Sequence, residues 1–491
     1  MADISQIVIF GASGDLTSRK LIPALLRNFA EQRFHKPLQI IGVSRSARSD
    51  VEWRESLDEW IPDDLRAAWS GFAPSLSWRA VDASVGEQTQ GLADHLEALA
   101  EGRTANRLFY LALKPSLFAP TIRTLSSHGL LDGPKDPKLG WRRVVVEKPF
   151  GRDLPSARAL NRELLEHVRE DQLFRIDHYL GKETVQNILS FRFQNAIFEP
   201  LWNRKHIESV EISVCETVAM EGKRGAYYDS AGAIRDMVQN HVLQILALVA
   251  MEPPTSMAAD AVRSEKVKVL TALRPMRPDQ VAEHVVRGQY LASPVRDRGY
   301  LEEEGVDPAS STETFVAVRA QIDNWRWSGI PFLLRSGKAL HKRYTEVVLR
   351  FRTPPLDLLA GPSEGEHCAL RPNDLRLLIQ PEEGVRLSFL VKRPGPGMTM
   401  VKSELGFDYS DLDAGSSPPA YQRLLLDAIE GNATLFIRGD EVEAAWAFVD
   451  SIRAGWDQED VPMFGYEAGS HGPEEANNLF VGCEGTWSIG P

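Results

Sequence analysis

The stretch Ile7-Val-Ile-Phe-Gly11-Ala-Ser-Gly14 constrains the fold of this chain more than any other. A short apolar run ending on glycine reads as a buried strand entering a tight turn. Leu21, Ile22, Leu25, Leu26 and Phe29 follow at helical spacing, and Leu38-Gln-Ile-Ile-Gly-Val43 supplies a second strand. Strand, Gly-rich turn, helix and strand make a mononucleotide-binding unit, because the helix N-terminus and the free turn amides suit a pyrophosphate. Gly11, Ser13, Gly14, Asp15 and Leu16 are the candidates for that contact. Ser13 and Leu16 stand where a full G-x-G-x-x-G has glycines, so a tight turn without a ligand is the alternative here.

The end of the second strand selects the cofactor. An acidic residue there holds the ribose 2′-hydroxyl of NAD. This chain has Ser44 and Arg45 instead, which suit a 2′-phosphate and predict NADP. Further strands are expected at Leu76–Val81, Arg107–Leu113 and Arg143–Lys148. Residues at the carboxyl ends of parallel strands face a ligand crevice, which makes Tyr110, Leu113, Lys114, Glu147 and Lys148 candidates. Lys148 is the strongest, since a cation there could reach both nicotinamide and substrate; an ion pair of Glu147 with Lys148 is the plain alternative. A helix over 156–169 leads to Leu173.

Beyond Phe191 the pattern changes. Val210, Ile212 and Val214 alternate with polar residues, as do Val316, Val318, Ala320 and Ile322, and Val347, Leu349 and Phe351. Leu375, Leu377 and Ile379 answer Val385, Leu387, Phe389 and Val391 across Pro381-Glu-Glu-Gly384, a hairpin signal. A mainly antiparallel sheet with one wet face is expected. The composite is α/β plus α+β: a Rossmann-type dinucleotide domain, 1–174, and a larger C-terminal domain, 175–491, with a mixed, mainly antiparallel sheet flanked by helices. A chain of 491 residues has room for both cores.

The totals exclude other classes. Apolar residues make up 43% and charged residues 25%, as in globular proteins in water. The formal net charge of −12 argues against nucleic acid. Cys215, Cys368 and Cys483 lack metal-ligand spacing and predict neither a metal site nor a disulfide framework. No run is long enough for a membrane span, and Met1–Gln6 lead straight into a strand with no signal-peptide pattern, so a cytoplasmic location is expected.

At the junction of the two domains lies Leu173-Phe-Arg-Ile-Asp-His-Tyr-Leu-Gly-Lys-Glu183, with Asp177, His178, Tyr179 and Lys182. His178 and Lys182 share a face in either a helix or a strand and could grip an anion, leaving Asp177 for other chemistry. A solvated polar turn is the competing reading. A helix over 234–249 carries Asp236 and His241, which stand about 140° apart on an ideal α-helix. Hydride removal from an alcohol needs a base, and a histidine oriented by a carboxylate serves near neutral pH. From spacing alone, Asp236 and His241 read as two contacts around a sugar-sized ligand; a structural histidine is the alternative.

Gly11–Leu16, Glu147–Gly151, Arg175–Glu183, Ile234–Gln244, Leu334–Lys338, Tyr421–Ile429 and Asp440–Trp446 together resemble glucose-6-phosphate dehydrogenase, over residues 7 to about 473. The resemblance implies oxidation of glucose 6-phosphate at C1 to 6-phosphogluconolactone with hydride transfer to NADP, the first oxidative step of the pentose phosphate pathway. By similarity His241 is the general base and Asp177 orients it. His178, Tyr179 and Lys182 hold the 6-phosphate. Glu216 and Asp236 accept from sugar hydroxyls, Lys338 and Arg343 approach the substrate from the second domain, and Lys148 sits between cofactor and substrate. Tyr110 and Lys148 join Gly11, Ser13, Gly14, Asp15, Leu16, Ser44 and Arg45 on the cofactor side. A homodimer or homotetramer is implied. The chain departs from the family pattern near Lys223–Ala226, at Lys114, and at His471, where the family often has Trp and a change of packing is expected. The competing functions are a related sugar oxidoreductase with another substrate and a catalytically silent NADP sensor.

Overall fold

The computed structural model describes residues 3–82, 85–133, 140–220, 225–356, 372–412, 418–458, 461–481 and 486–490. Cys368, Cys483, Lys223–Arg224 and the loop at Ser416 lie outside the described residues. The chain forms two compact units: Met1–Gly181 with Thr255–Arg263 and Pro418–Glu443, and Lys182–Pro254 with Ser264–Ser417 and Ala444–Pro491.

The first unit is built on β1 (Ile4–Phe10), β2 (Leu38–Ser44), β3 (Leu76–Ala80), β4 (Ala105–Leu111), β5 (Arg142–Val146) and β6 (Leu173–Ile176). Their order is β6-β5-β4-β1-β2-β3, all parallel, with the short strand Phe436–Ile437 added antiparallel beside β6. This is the doubly wound dinucleotide order, whose switch point falls between β1 and β4. Every residue of β1 and β4 is buried, as expected for strands covered on both faces. The helix after β5 starts at Leu154, because Asp153 caps it by accepting from the Ser156 N–H at 2.8 Å, and ends at Leu165, short of Arg169.

The second unit carries β7 (Ile207–Cys215), β8 (Val285–Leu291), β9 (Phe315–Gln321), β10 (Pro331–Gly337), β11 (Tyr344–Phe351), β12 (Asp374–Gln380), β13 (Gly384–Lys392) and β14 (Met400–Asp408). The sheet runs β14-β13-β12-β11-β7-β10-β9-β8, then the strand Met463–Glu467. It is mixed: β7 with β10 and β8 with Met463–Glu467 pair in parallel, and the other pairs are antiparallel. The expected hairpin is present, with Leu375 opposite Leu387 and Leu377 opposite Val385.

The expected wet face is largely absent. Exposure is concentrated on β13 and β14, whereas the polar residues of the central strands are buried. Several of them satisfy one another. Glu211 accepts from Arg350 at 3.0 Å, from Ser213 at 3.0 Å and from the Ser488 N–H at 2.9 Å. Arg335 donates to Ser213 at 3.0 Å, and also to the Tyr344 hydroxyl and the Ser488 carbonyl. Alternation of polar and apolar residues therefore marks two buried faces here, one of them ionic. Arg335→Ala should lower stability by about 3 kcal/mol, because it breaks a buried charge network around Glu211. Thermal unfolding of the variant checks this, with a loss well above that of Arg352→Ala at the exposed strand end.

Candidate active site

The glycine turn sits at the switch point. Gly11 takes φ +80°, and a Cβ there would overlap the Ala112 carbonyl oxygen, so only glycine lets β1 and β4 end this close. The Gly14 N–H closes the turn on the Gly11 carbonyl at 2.9 Å, and Thr17 donates to the same oxygen at 3.3 Å. At the exposed rim the Ser13 and Ser44 hydroxyls meet at 3.0 Å, beside exposed Arg45. Asp15 pairs with Arg19 at 2.6 Å, and Leu16 is half-buried at the head of the helix. A glycine turn at the switch point, next to hydroxyls and a guanidinium, fits a dinucleotide.

Tyr110 is fully buried, and its hydroxyl donates to Glu147 at 2.5 Å. Tyr421, on the helix Ala420–Glu430, donates to the same carboxylate oxygen at 3.1 Å. Burial raises the Glu147 carboxyl pKa, and the two phenols oppose the rise. Glu147 is thus held by two tyrosines directly before Lys148. The simple ion-pair reading of Glu147 with Lys148 missed these phenols.

The segment after β6 is neither helix nor strand. Asp177 is buried, its Oδ1 accepts from the Tyr179 N–H at 2.9 Å, and its carbonyl accepts from the Leu180 N–H at 3.0 Å. That is an aspartate-closed turn, so the face shared by His178 and Lys182 in regular structure does not apply. The His178 and Tyr179 rings lie 5.1 Å apart within the turn.

Lys182 opens the second unit at the N-cap of the helix Glu183–Phe193 and donates to the Gln380 side chain, which in turn donates to Thr345 at 3.0 Å. Burial, and then the nearby Arg343 guanidinium, pull the Lys182 ammonium pKa down to about 8. Arg343 thus acts on Lys182 as a nearby like charge, and the Glu383 carboxylate opposes it.

The helix bearing Asp236 and His241 is π-helical over Ile234–Val242 and α-helical only from Leu243. A π-helix bonds residue i to i+5, so residues five apart stand roughly one turn apart. Asp236 and His241 therefore diverge less than the roughly 140° of an ideal α-helix. The start of this helix is fixed by Glu313, whose Oε1 accepts from the Ile234 N–H at 2.8 Å while its carbonyl accepts from the Ala233 N–H at 3.0 Å. Gly232 makes the turn with φ +72°, and a Cβ there would overlap the same Glu313 oxygen.

Lys338, just beyond β10, pairs with Glu216, just beyond β7, at 2.6 Å. Both residues belong to the second unit, and both are only partly exposed. The His471 and His341 rings lie 3.8 Å apart with their planes tilted by 52°.

Models of two domains match the chain: "glucose-6-phosphate dehydrogenase, NAD binding domain" over residues 8–187 and "glucose-6-phosphate dehydrogenase, C-terminal domain" over residues 189–488. The chain belongs to the glucose-6-phosphate dehydrogenase family. The glucose-6-phosphate 1-dehydrogenase of Rhizobium meliloti is 45% identical, covering 98% of this chain and 97% of that protein. That of Bacillus subtilis is 41% identical over 97% of this chain and 96% of its own. A solved glucose-6-phosphate dehydrogenase in complex with its substrate superposes with a TM-score of 0.89 at 35% identity, covering 99% of each chain. The enzyme from Mycobacterium avium gives 0.84 at 35% identity, over 99% of this chain and 98% of its own.

Sequence reasoning missed Tyr228, Glu313, Gln380 and Tyr466, all of which support residues it had found. Each acts through a partner distant in sequence, and only Tyr421 lay inside a motif already singled out. A cavity of about 470 Å³ lined by Arg350, Asp374, Arg376 and Lys402 contains none of the expected site residues, and its cations are paired with Glu211 and Asp374.

The Lys182 ammonium fixes a pH dependence. Between about 8 and the ordinary lysine value of about 10.4, the unfolded chain keeps a proton that the folded one has released, so this group's contribution to stability rises with pH. Anion binding needs the charged form and moves the other way. Affinity for sulfate, whose own charge is constant in this range, should fall about tenfold from pH 7.5 to 9, and Lys182→Arg should flatten that fall. Calorimetric titration at the two pH values decides it.

Proposed function

We propose that the chain oxidises D-glucose 6-phosphate at C1 to 6-phospho-D-glucono-1,5-lactone with NADP as hydride acceptor, the entry step of the pentose phosphate pathway. The observation that carries this reading is the match to glucose-6-phosphate 1-dehydrogenases over nearly the whole chain, and the π-helical stretch that holds both Asp236 and His241 supports it. On this reading, residues 1–174 carry NADP, and residues 175–491 carry the sugar and the contacts between subunits.

Gly11, Gly14, Asp15 and Leu16 hold the pyrophosphate, and Ser13, Ser44 and Arg45 the 2′-phosphate. When bound, the nicotinamide of NADP supplies the electrophilic carbon that accepts the hydride from C1. The side chains do the rest. His241 Nε2 or Nδ1 takes the C1 hydroxyl proton, and Asp177 orients the ring and stabilises its cation. Asp236 and Glu216 accept hydrogen bonds from ring hydroxyls, and Lys338 donates to the sugar. His178, Tyr179, Lys182 and Arg343 hold the 6-phosphate; the depressed pKa of Lys182 supports this, since a dianion restores its charge. Lys148, with Glu147 held behind it by Tyr110 and Tyr421, lies between cofactor and sugar.

The assembly is a homodimer or homotetramer through the larger sheet. In support, β14 leaves Leu405 62% and Phe407 36% exposed on the outermost strand. No described helix is long and apolar enough to cross a membrane, and a cytoplasmic location agrees with that.

His241→Asn should lower kcat about 10³-fold with little change in substrate dissociation, because the base acts in the chemical step. Stopped-flow and steady-state absorbance of reduced nicotinamide check this, with glucose as the comparison substrate. Equal turnover of glucose and glucose 6-phosphate would favour the related sugar oxidoreductase, and NADP binding without any turnover would favour the sensor.

A further inference from the structure

Lys338 is held from several directions. Its backbone N–H donates to the Thr314 carbonyl at 3.0 Å, and its carbonyl accepts from the Tyr466 hydroxyl at 2.8 Å. Tyr466 also meets the Thr314 hydroxyl at 2.9 Å, so the backbone on either side of the lysine is tied to one point. Its ammonium pairs with Glu216 at 2.6 Å and lies 5.1 Å from the centroid of the Tyr228 ring. Tyr228 is 3% exposed, on the helix Gly225–Ala233 directly before Asp236 and His241. It packs edge-on against Tyr300, with ring centroids 6.3 Å apart, and Tyr300 against Tyr290 at 5.7 Å. The ring plane is therefore fixed by neighbouring rings. The Tyr228 hydroxyl has no hydrogen-bond partner among the described residues, and burial, with the Glu313, Asp236 and Glu216 carboxylates nearby, keeps it a neutral phenol.

A flexible ammonium beside a single carboxylate has many arrangements of similar energy. A buried aromatic face within 6 Å removes most of them, and it attracts a cation more strongly where water is excluded. The Lys338 side chain is only 14% exposed, which meets that condition.

We propose that Tyr228 is a positioning residue that holds the Lys338 ammonium over its ring, so that Lys338 and Glu216 are set at a fixed spacing for the hydroxyls of the sugar. The inference rests on the reading of Lys338 as a sugar contact, and the two fail separately. Tyr228 touches no substrate in this account; it fixes the direction of the lysine that does. The hydroxyl is dispensable and the electron-rich face is required. This sets Tyr228 apart from Tyr110 and Tyr421, whose hydroxyls are the working groups.

The test is a KM and kcat series on the full chain. Tyr228→Phe should keep the wild-type KM for glucose 6-phosphate. Tyr228→Leu should raise that KM about threefold to thirtyfold, with the KM for NADP unchanged and kcat within about twofold. Fluorinated phenylalanines at position 228 keep the shape of the ring while draining its face. Along mono-, di- and trifluorinated residues, log KM should rise with each fluorine while the melting temperature stays level. This series keeps the proposal open to refutation even where the leucine variant does not fold. A flat log KM across the series, or a Phe variant as impaired as the Leu variant, overturns the role of the ring. Lys338→Ala leaving the KM unaltered would instead overturn the reading of Lys338 itself.

Discussion

One buried carboxylate sets the geometry on which the proposed chemistry depends. Glu313 accepts the Ile234 N–H through its side chain and the Ala233 N–H through its carbonyl. The helix can begin only there, because Gly232, with its left-handed backbone, is pressed against the same carboxylate. Burial raises the Glu313 carboxyl pKa, and the backbone donor opposes the rise. A stretch of π-helix that begins at a fixed residue puts Asp236 and His241 one turn apart; an α-helix from the same start would splay them.

Glu147, Lys182 and Lys338 are each held by side chains that are committed elsewhere. Glu147 receives two phenols and stands behind Lys148. Gln380 bridges Lys182 to Thr345. Tyr466 and Thr314 pin the Lys338 backbone while Glu216 and Tyr228 direct its ammonium. Holding charges in fixed, partly buried positions lowers the reorganisation needed when a charged substrate arrives. It also explains why these regions carry so many tyrosines, whose rings pack and whose hydroxyls reach.

The dinucleotide fold was legible because its signals are local. Ile7–Phe10, the glycine turn and the apolar helix spacing lie within one short segment, and the strand order follows from parallel βαβ connections. The hairpin at Pro381–Gly384 was legible for the same reason. The second sheet's buried ionic face was not. Glu211, Arg335 and Arg350 look like solvent-facing alternates, and only partners such as Ser488, far along the chain, make them internal. The arrangement of Asp236 and His241 escaped because spacing was read at the α-helical period. The turn at Asp177 escaped because a side chain, rather than the backbone pattern, closes it. For the candidate site, the motif residues could be named and the side chains that hold them could not, since Tyr228 and Glu313 act across the fold on other residues.

The central claim is that Asp236 and His241 present one face to the sugar while Lys182 and Arg343 take the phosphate. A crystal structure of the His241→Asn variant with glucose 6-phosphate tests it most directly. The account predicts that Asp236 lies within hydrogen-bond distance of a ring hydroxyl, that the introduced asparagine stands beside the C1 hydroxyl, and that Lys182 and Arg343 contact the phosphate. A sugar that touches Asp236 but leaves position 241 turned away, or a phosphate bound clear of Lys182, would contradict it.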